Sequence, residues 1–168
     1  MAKKRLAAGL QRDDDGVVRC TWPGQHDDYV RYHDVEWGIP VDDEHQLFEK
    51  VCLEGFQAGL SWLTILRKRE NFRKAFAHFD FERVARFNKR SVERLLDDAG
   101  IVRHRGKIES TINNAKRACD LRDEYGSLGA FFWSFEPAEQ TRPKRLTLNA
   151  MRKLTQSPES VAMSKELK

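Results

Sequence analysis

Apolar side chains in this chain recur every three or four positions and almost never every second one, which directs the fold toward packed helices rather than sheets. Leu47, Phe48, Val51 and Cys52 keep that spacing after the acidic run Asp42-Asp43-Glu44, a run suited to a helix N-terminus. Gly55 and Gly59 are expected to limit or bend this helix. Ser61 opens a second one, with Trp62, Ile65, Leu66, Phe72 and Phe76 facing inward. Asp80 suits the N-cap of a short helix holding Val84 and Phe87, and Ser91 that of a helix from Val92 to Ala99, closed by Gly100 at the C-cap position. A long helix follows, with Ile108, Ile112, Ala115 and Cys119 on one side and Gly126 at its end. The cluster Phe131-Phe132-Trp133-Ser134-Phe135 precedes Pro137, and Ser157-Pro158-Glu159 reads as a helix start with proline at the first helical position. The expected class is all-α.

A chain of 168 residues suits one domain with a real core. Residues 1–18 are polar and without period and read as a flexible arm, leaving 19–168 as a single helical domain. Between Cys20 and Pro40, aromatics crowd among glycine and proline breakers, which predicts irregular or short-helical structure. Glu136 to Leu148 reads as a loop. No apolar run approaches the roughly 20 residues that span a bilayer, and the basic N-terminus is too short for a secretory signal. Three widely spaced cysteines argue against a disulfide framework and for a reducing, cytoplasmic setting. The formal charge of +4 is compatible with nucleic acid without requiring it.

Three groups of residues could carry chemistry. The run Leu95-Leu96-Asp97-Asp98-Ala99-Gly100-Ile101-Val102-Arg103-His104-Arg105-Gly106-Lys107-Ile108 has the shape of a helix-hairpin-helix, in which backbone N–H groups and a helix N-terminus meet a phosphate and Arg and Lys add charge. By pattern it reads equally as an αα-corner with a solvated basic turn. Glu54 stands on an apolar stretch eight residues before Trp62, so a carboxylate and an aromatic platform share one segment. By pattern this is first a capped or salt-bridged glutamate beside a core tryptophan. Cys20 and His33 have the spacing of half a zinc site, but by pattern they are first a buried thiol and a surface histidine.

These pieces occur in one order in one family. The strings Tyr29-Val30-Arg31-Tyr32-His33-Asp34-Val35-Glu36-Trp37-Gly38-Ile39-Pro40 and Cys52-Leu53-Glu54-Gly55-Phe56-Gln57-Ala58-Gly59-Leu60-Ser61-Trp62 are very specific. With Arg19-Cys20-Thr21-Trp22, Lys68-Arg69-Glu70-Asn71-Phe72, the hairpin and Ala162-Met163-Ser164-Lys165, the chain resembles the 3-methyladenine DNA glycosylase I family of the helix-hairpin-helix superfamily. The resemblance implies a helical glycosylase domain that flips an alkylated base out of double-stranded DNA and hydrolyses its N-glycosidic bond. It implies that Glu54 is the catalytic-site carboxylate, acting mainly by hydrogen-bonding the amino edge of the base. Tyr32 would add a polar contact, Trp62 would stack, and Tyr29, Trp22 and Trp37 would form aromatic walls. Leu60 would fill the gap in the duplex, and Gly100, Arg103, Arg105 and Lys107 would hold the DNA backbone. Cys20 and His33 would be half of a structural zinc site. The family's Phe-Val-Gly stretch, further helix and completing His and Cys have no counterpart here, so the chain reads as C-terminally truncated. A monomer without membrane association is expected. The alternative is a non-catalytic DNA-binding relative. Asp120 and Asp123, beyond the hairpin, read as solvated helix residues.

Overall fold

The structure is a computed structural model that describes residues 6–141, 147, 149–150 and 154–167. It is helical apart from one small hairpin, as the spacing of apolar residues predicts. The described residues form two compact units, one of residues 38–134 and one of the segments flanking it.

The unit of residues 38–134 carries the core. Its helices are α2 (Glu44–Gln57), α3 (Trp62–Ala75), α4 (Phe81–Ala85), α5 (Lys89–Asp97), α6 (Arg105–Tyr125) and α7 (Leu128–Trp133). Phe48, Leu53 and Phe56 of α2 meet Ile65 and Phe72 of α3, Phe81 and Val84 of α4, Leu95 of α5 and Ile108 of α6, all essentially inaccessible to solvent. Helix α6 packs on α2, α4, α5 and α7. Helix starts follow the polar residues that precede them. Asp43, Ser61, Asp80 and Ser127 each accept the backbone N–H three residues on, satisfying a donor that the helix leaves unpaired. Gly126 closes α6 at φ +85°, the left-handed conformation expected of it.

Between α3 and α4 the chain makes a left-handed turn through Ala77, His78 and Phe79 at φ 52°, 56° and 57°, without a glycine. The turn buries Phe76 and Phe79 completely, with their rings stacked 5.9 Å apart, while His78 stays exposed.

Helix α5 departs from expectation. Asn88 caps it, not Ser91: the Asn88 side chain accepts from Ser91 N while the Ser91 hydroxyl accepts from Asn88 N, and the helix ends at Asp97. Gly100 is therefore no left-handed C-cap. Its lack of a side chain serves close approach instead, since a Cβ there would lie 2.9 Å from Asp98 Oδ1 and 3.0 Å from Asn71 Cγ.

The flanking unit holds β1 (Leu10–Arg12), β2 (Val18–Cys20), α1 (Asp27–Val35) and α8 (Pro158–Glu166). The strands pair antiparallel with Leu10 opposite Cys20. The flexible arm expected over residues 1–18 is thus in part a hairpin, with residues 1–5 outside the described residues. Gly16 turns it at φ +82°. Arg19 fixes it, bonding Asp13 and Asp15 of the turn and both Asp34 oxygens on α1. Ser157 caps α8 in a capping box with Ser160. Of the loop expected over 136–148, Glu139–Thr141 forms a single 3-10 turn, and residues 142–146 and 148 lie outside the described residues. No described helix is long and apolar enough to cross a membrane.

Candidate functional site

The site residues read from the sequence fall into three groups, each built by its own local structure. In the flanking unit, α1 and the segment before it gather Trp22, Tyr29, Tyr32 and Trp37. Trp22 is the hub, with ring centroids 4.8 Å from Tyr29, 6.4 Å from Tyr32 and 5.3 Å from Trp37. Tyr32 is buried, whereas Trp22 and Trp37 keep 38% and 47% of their surface in solvent, enough for flat apolar faces to meet a ligand.

His33 belongs to the same cluster, its ring stacked 5.6 Å from Trp37. Its Nδ1 lies 2.8 Å from Asp34 Oδ1. The Arg19 guanidinium, then His33, hold the Asp34 carboxyl down to about 2. A carboxylate behind one ring nitrogen is an arrangement that orients a histidine for metal ligation. Cys20 ends β2. However, no group of three His, Cys, Asp or Glu able to hold a metal exists among the described residues. Cys20 and His33 are two donors, short of the four that a structural zinc centre takes.

The second group lies at the α2–α3 junction. Glu54, on α2, differs from its expected setting on an apolar face. Its side chain is half exposed, and the carboxylate pairs with Lys50 one helical turn earlier, Nζ to Oε1 at 2.9 Å. The buried carboxylate of α2 is Glu49, which takes a two-pronged pair from Arg73 at 2.8 Å for both contacts. Lys50 also sits 3.9 Å from the centroid of the Trp62 ring, so one ammonium joins the carboxylate to the indole. Sequence reasoning missed Lys50, although its spacing to Glu54 is that of a helical ion pair. Between Glu54 and Trp62 the chain turns at Gly59, φ +82°, and presents Leu60 with 40% of its surface exposed. Gln57 braces that turn by donating its side-chain amide to Leu60 O at 2.9 Å.

The hairpin is the third group. Residues 98–104 connect α5 to α6, and Lys68 of α3 donates to Ala99 O and Gly100 O, each at 3.2 Å. Asn71 donates to Gly100 O as well. These anchors turn the connection's carbonyls onto α3. His104 caps α6 by accepting from Lys107 N. Arg103 is exposed, and Arg105 is exposed while paired with Glu93 at 2.8 Å. Lys107, expected at the DNA backbone, donates its ammonium to Phe56 O at 2.8 Å and Ala58 O at 2.6 Å, at the end of α2. Asp120 and Asp123 are exposed and paired with Arg117 and Arg122, as solvated helix residues should be.

Comparison with known proteins follows the same residues. A family model described as methyladenine glycosylase matches residues 22–168. The chain is 45% identical over 152 residues to DNA-3-methyladenine glycosylase 1 of Escherichia coli (strain K12), covering 90% of this chain and 80% of that protein. A crystal structure of 3-methyladenine DNA glycosylase I superposes with a TM-score of 0.76 at 45% identity, covering 89% of this chain and 81% of the other. The 3-methyladenine DNA glycosylase I of Staphylococcus aureus, from a study of 3-methyladenine recognition, gives 0.79 at 34% identity, covering 89% and 78%.

Proposed function

Because the chain belongs to the methyladenine glycosylase family, we propose that it is a DNA-repair glycosylase that hydrolyses the N-glycosidic bond of 3-methyladenine in alkylated DNA. The observation that carries this reading is the Glu54–Trp62 corner, where a carboxylate and an indole face already share a cation. An adenine methylated at N3 is a cation in the nucleotide, and it offers the same two features: a charged ring to stack and an amino edge to donate.

The nucleotide would be flipped from double-stranded DNA at a cost of a few kcal/mol, least where pairing is already damaged. Trp62 would stack on the base, a contact worth roughly 0.5–2 kcal/mol for a cation. Glu54 would accept from the amino edge, and a base without that donor would leave the carboxylate unmatched. As the C1′–N9 bond breaks, its electron pair goes to the base, which departs neutral. Water adds at C1′ and loses a proton. Glu54 serves this step by recognition more than as a strong base.

Tyr29, Tyr32, Trp22 and Trp37 would supply aromatic walls, and the exposed Leu60 would occupy the gap in the duplex. The hairpin reads as a helix-hairpin-helix whose Arg103 and Arg105 meet backbone phosphates without reading sequence. The Lys107 ammonium, engaged with two carbonyls, is poorly placed to act as a Schiff-base nucleophile, which supports a monofunctional enzyme. A monomer is the proposed state. For zinc, Cys20 and His33 would supply two donors, and metal content of the purified chain tests that half-site.

Release of 3-methyladenine from methylated DNA by the wild type and by Glu54→Ala tests the main reading. Release is expected from the wild type and a loss of at least tenfold in the variant. DNA binding without release by the wild type would favour a non-catalytic DNA-binding protein.

A further inference from the structure

Lys50 gives the Glu54–Trp62 corner an occupant of its own. Its Nζ is 2.9 Å from Glu54 Oε1 and 3.9 Å from the Trp62 ring centroid. Lys50 and Glu54 are one turn apart on α2, with 49% and 51% of their side chains exposed, so the ammonium can leave for solvent along a flexible stem. The two attractions that hold it, a carboxylate and a π-face, are those a cationic base would use. An ammonium this close to the ring centroid lies where a stacked base would lie, so both cannot be present together.

We propose that Lys50 is an internal competitor for the base position, occupying the corner in the free protein and displaced by the incoming base. This rests on the reading that the corner receives the base. Displacement costs the same for every ligand, so Lys50 lowers all base affinities by one factor. Weak binders, such as undamaged bases, then fail to hold the corner, while the alkylated cation still does. After cleavage the base is neutral and loses most of its attraction to the indole face, and the returning ammonium helps expel it.

Two measurements on the full chain test this. In nuclear magnetic resonance spectra, the Lys50 ε-methylene protons should be shifted upfield by the Trp62 ring and should return to ordinary lysine positions on saturation with free 3-methyladenine. In calorimetric titrations with the same base, Lys50→Met should bind about four- to tenfold tighter than wild type, the combined worth of an exposed helical ion pair and an exposed cation–π contact. Lys50→Arg, which keeps a stacking cation, should stay near wild type. An unshifted Lys50 signal, a signal unmoved by ligand, or a Lys50→Met variant that binds no tighter overturns the proposal. A wild type that neither binds nor releases 3-methyladenine defeats the functional reading, and Lys50 as competitor falls with it. Wild-type binding with unchanged affinity in Lys50→Met defeats the competitor alone.

Discussion

Lys107, in the first turn of α6, donates to the carbonyl oxygen of Ala58 at 2.6 Å, and that bond ties the hairpin helix to the end of the helix that carries Glu54. The last carbonyls of a helix have no partner within it, and an ammonium aimed at them satisfies both the orphan acceptors and the negative end of the helix dipole. Ala58 directly precedes the Gly59-Leu60-Ser61 turn, so Lys107 sets where α2 stops and where Trp62 begins α3.

Lys107→Met should therefore lower stability by about 1.5–3 kcal/mol, the usual loss for a hydrogen bond to a charged group. Urea unfolding would read it as a lower midpoint at unchanged m-value. Base release should also fall in conditions where the variant remains fully folded. Lys107→Arg should restore part of both.

Gly100→Ala should destabilise by about 1–3 kcal/mol, because the new methyl would lie 2.9 Å from Asp98 Oδ1, closer than Cβ atoms pack, and tightly against the Asn71 side chain at 3.0 Å. Adding Asn71→Ala should recover part of that loss by removing the nearer obstruction on α3. Recovery would appear as a thermal midpoint above that of the single variant.

Acid should disturb the flanking unit in a definite window. Asp34 is held down to about 2 by Arg19 and then His33, and Asp15 is lowered chiefly by Arg19. An unfolded aspartate titrates near 3.9. A carboxyl lowered in the folded state stabilises fully above the unfolded value and loses that contribution as pH falls through the folded one. The near-ultraviolet dichroism of the Trp22 cluster should thus persist at pH 5 and fade between about pH 4 and 2. Arg19→Met should move the transition to higher pH.

Much of this fold was legible because helix signals are local. The caps at Ser61, Asp80 and Ser157 and the closing Gly126 act within a turn of where they stand. The hairpin at Leu10–Cys20 was not legible, since strands of three residues are too short to show alternation. Arg19 entered only within a family string, and its ion pairs form because the fold brings Asp34 of α1 to it. Ser91 looked like a cap because Asn88 and Ser91 share the capping box, and only the backbone angles tell which one precedes the helix. At the site, the Glu54 and Trp62 assignments came from the family strings, whereas Lys50 and Lys107 required three dimensions. Lys107 lies 49 positions from Ala58, and no periodicity announces a bond over that span.

The left-handed turn at Ala77–His78–Phe79 is headroom for engineering. Each L-residue held in that conformation costs roughly 1–2 kcal/mol relative to the right-handed one, and the seating of Phe76 and Phe79 works against that cost. His78 seats nothing, being exposed. His78→Gly should raise the melting temperature by about 2–4 °C per kcal/mol of relieved strain, measured by calorimetry. A more heat-resistant glycosylase could thus be made on the link between α3 and α4, without altering any residue of the Glu54–Trp62 corner or the hairpin.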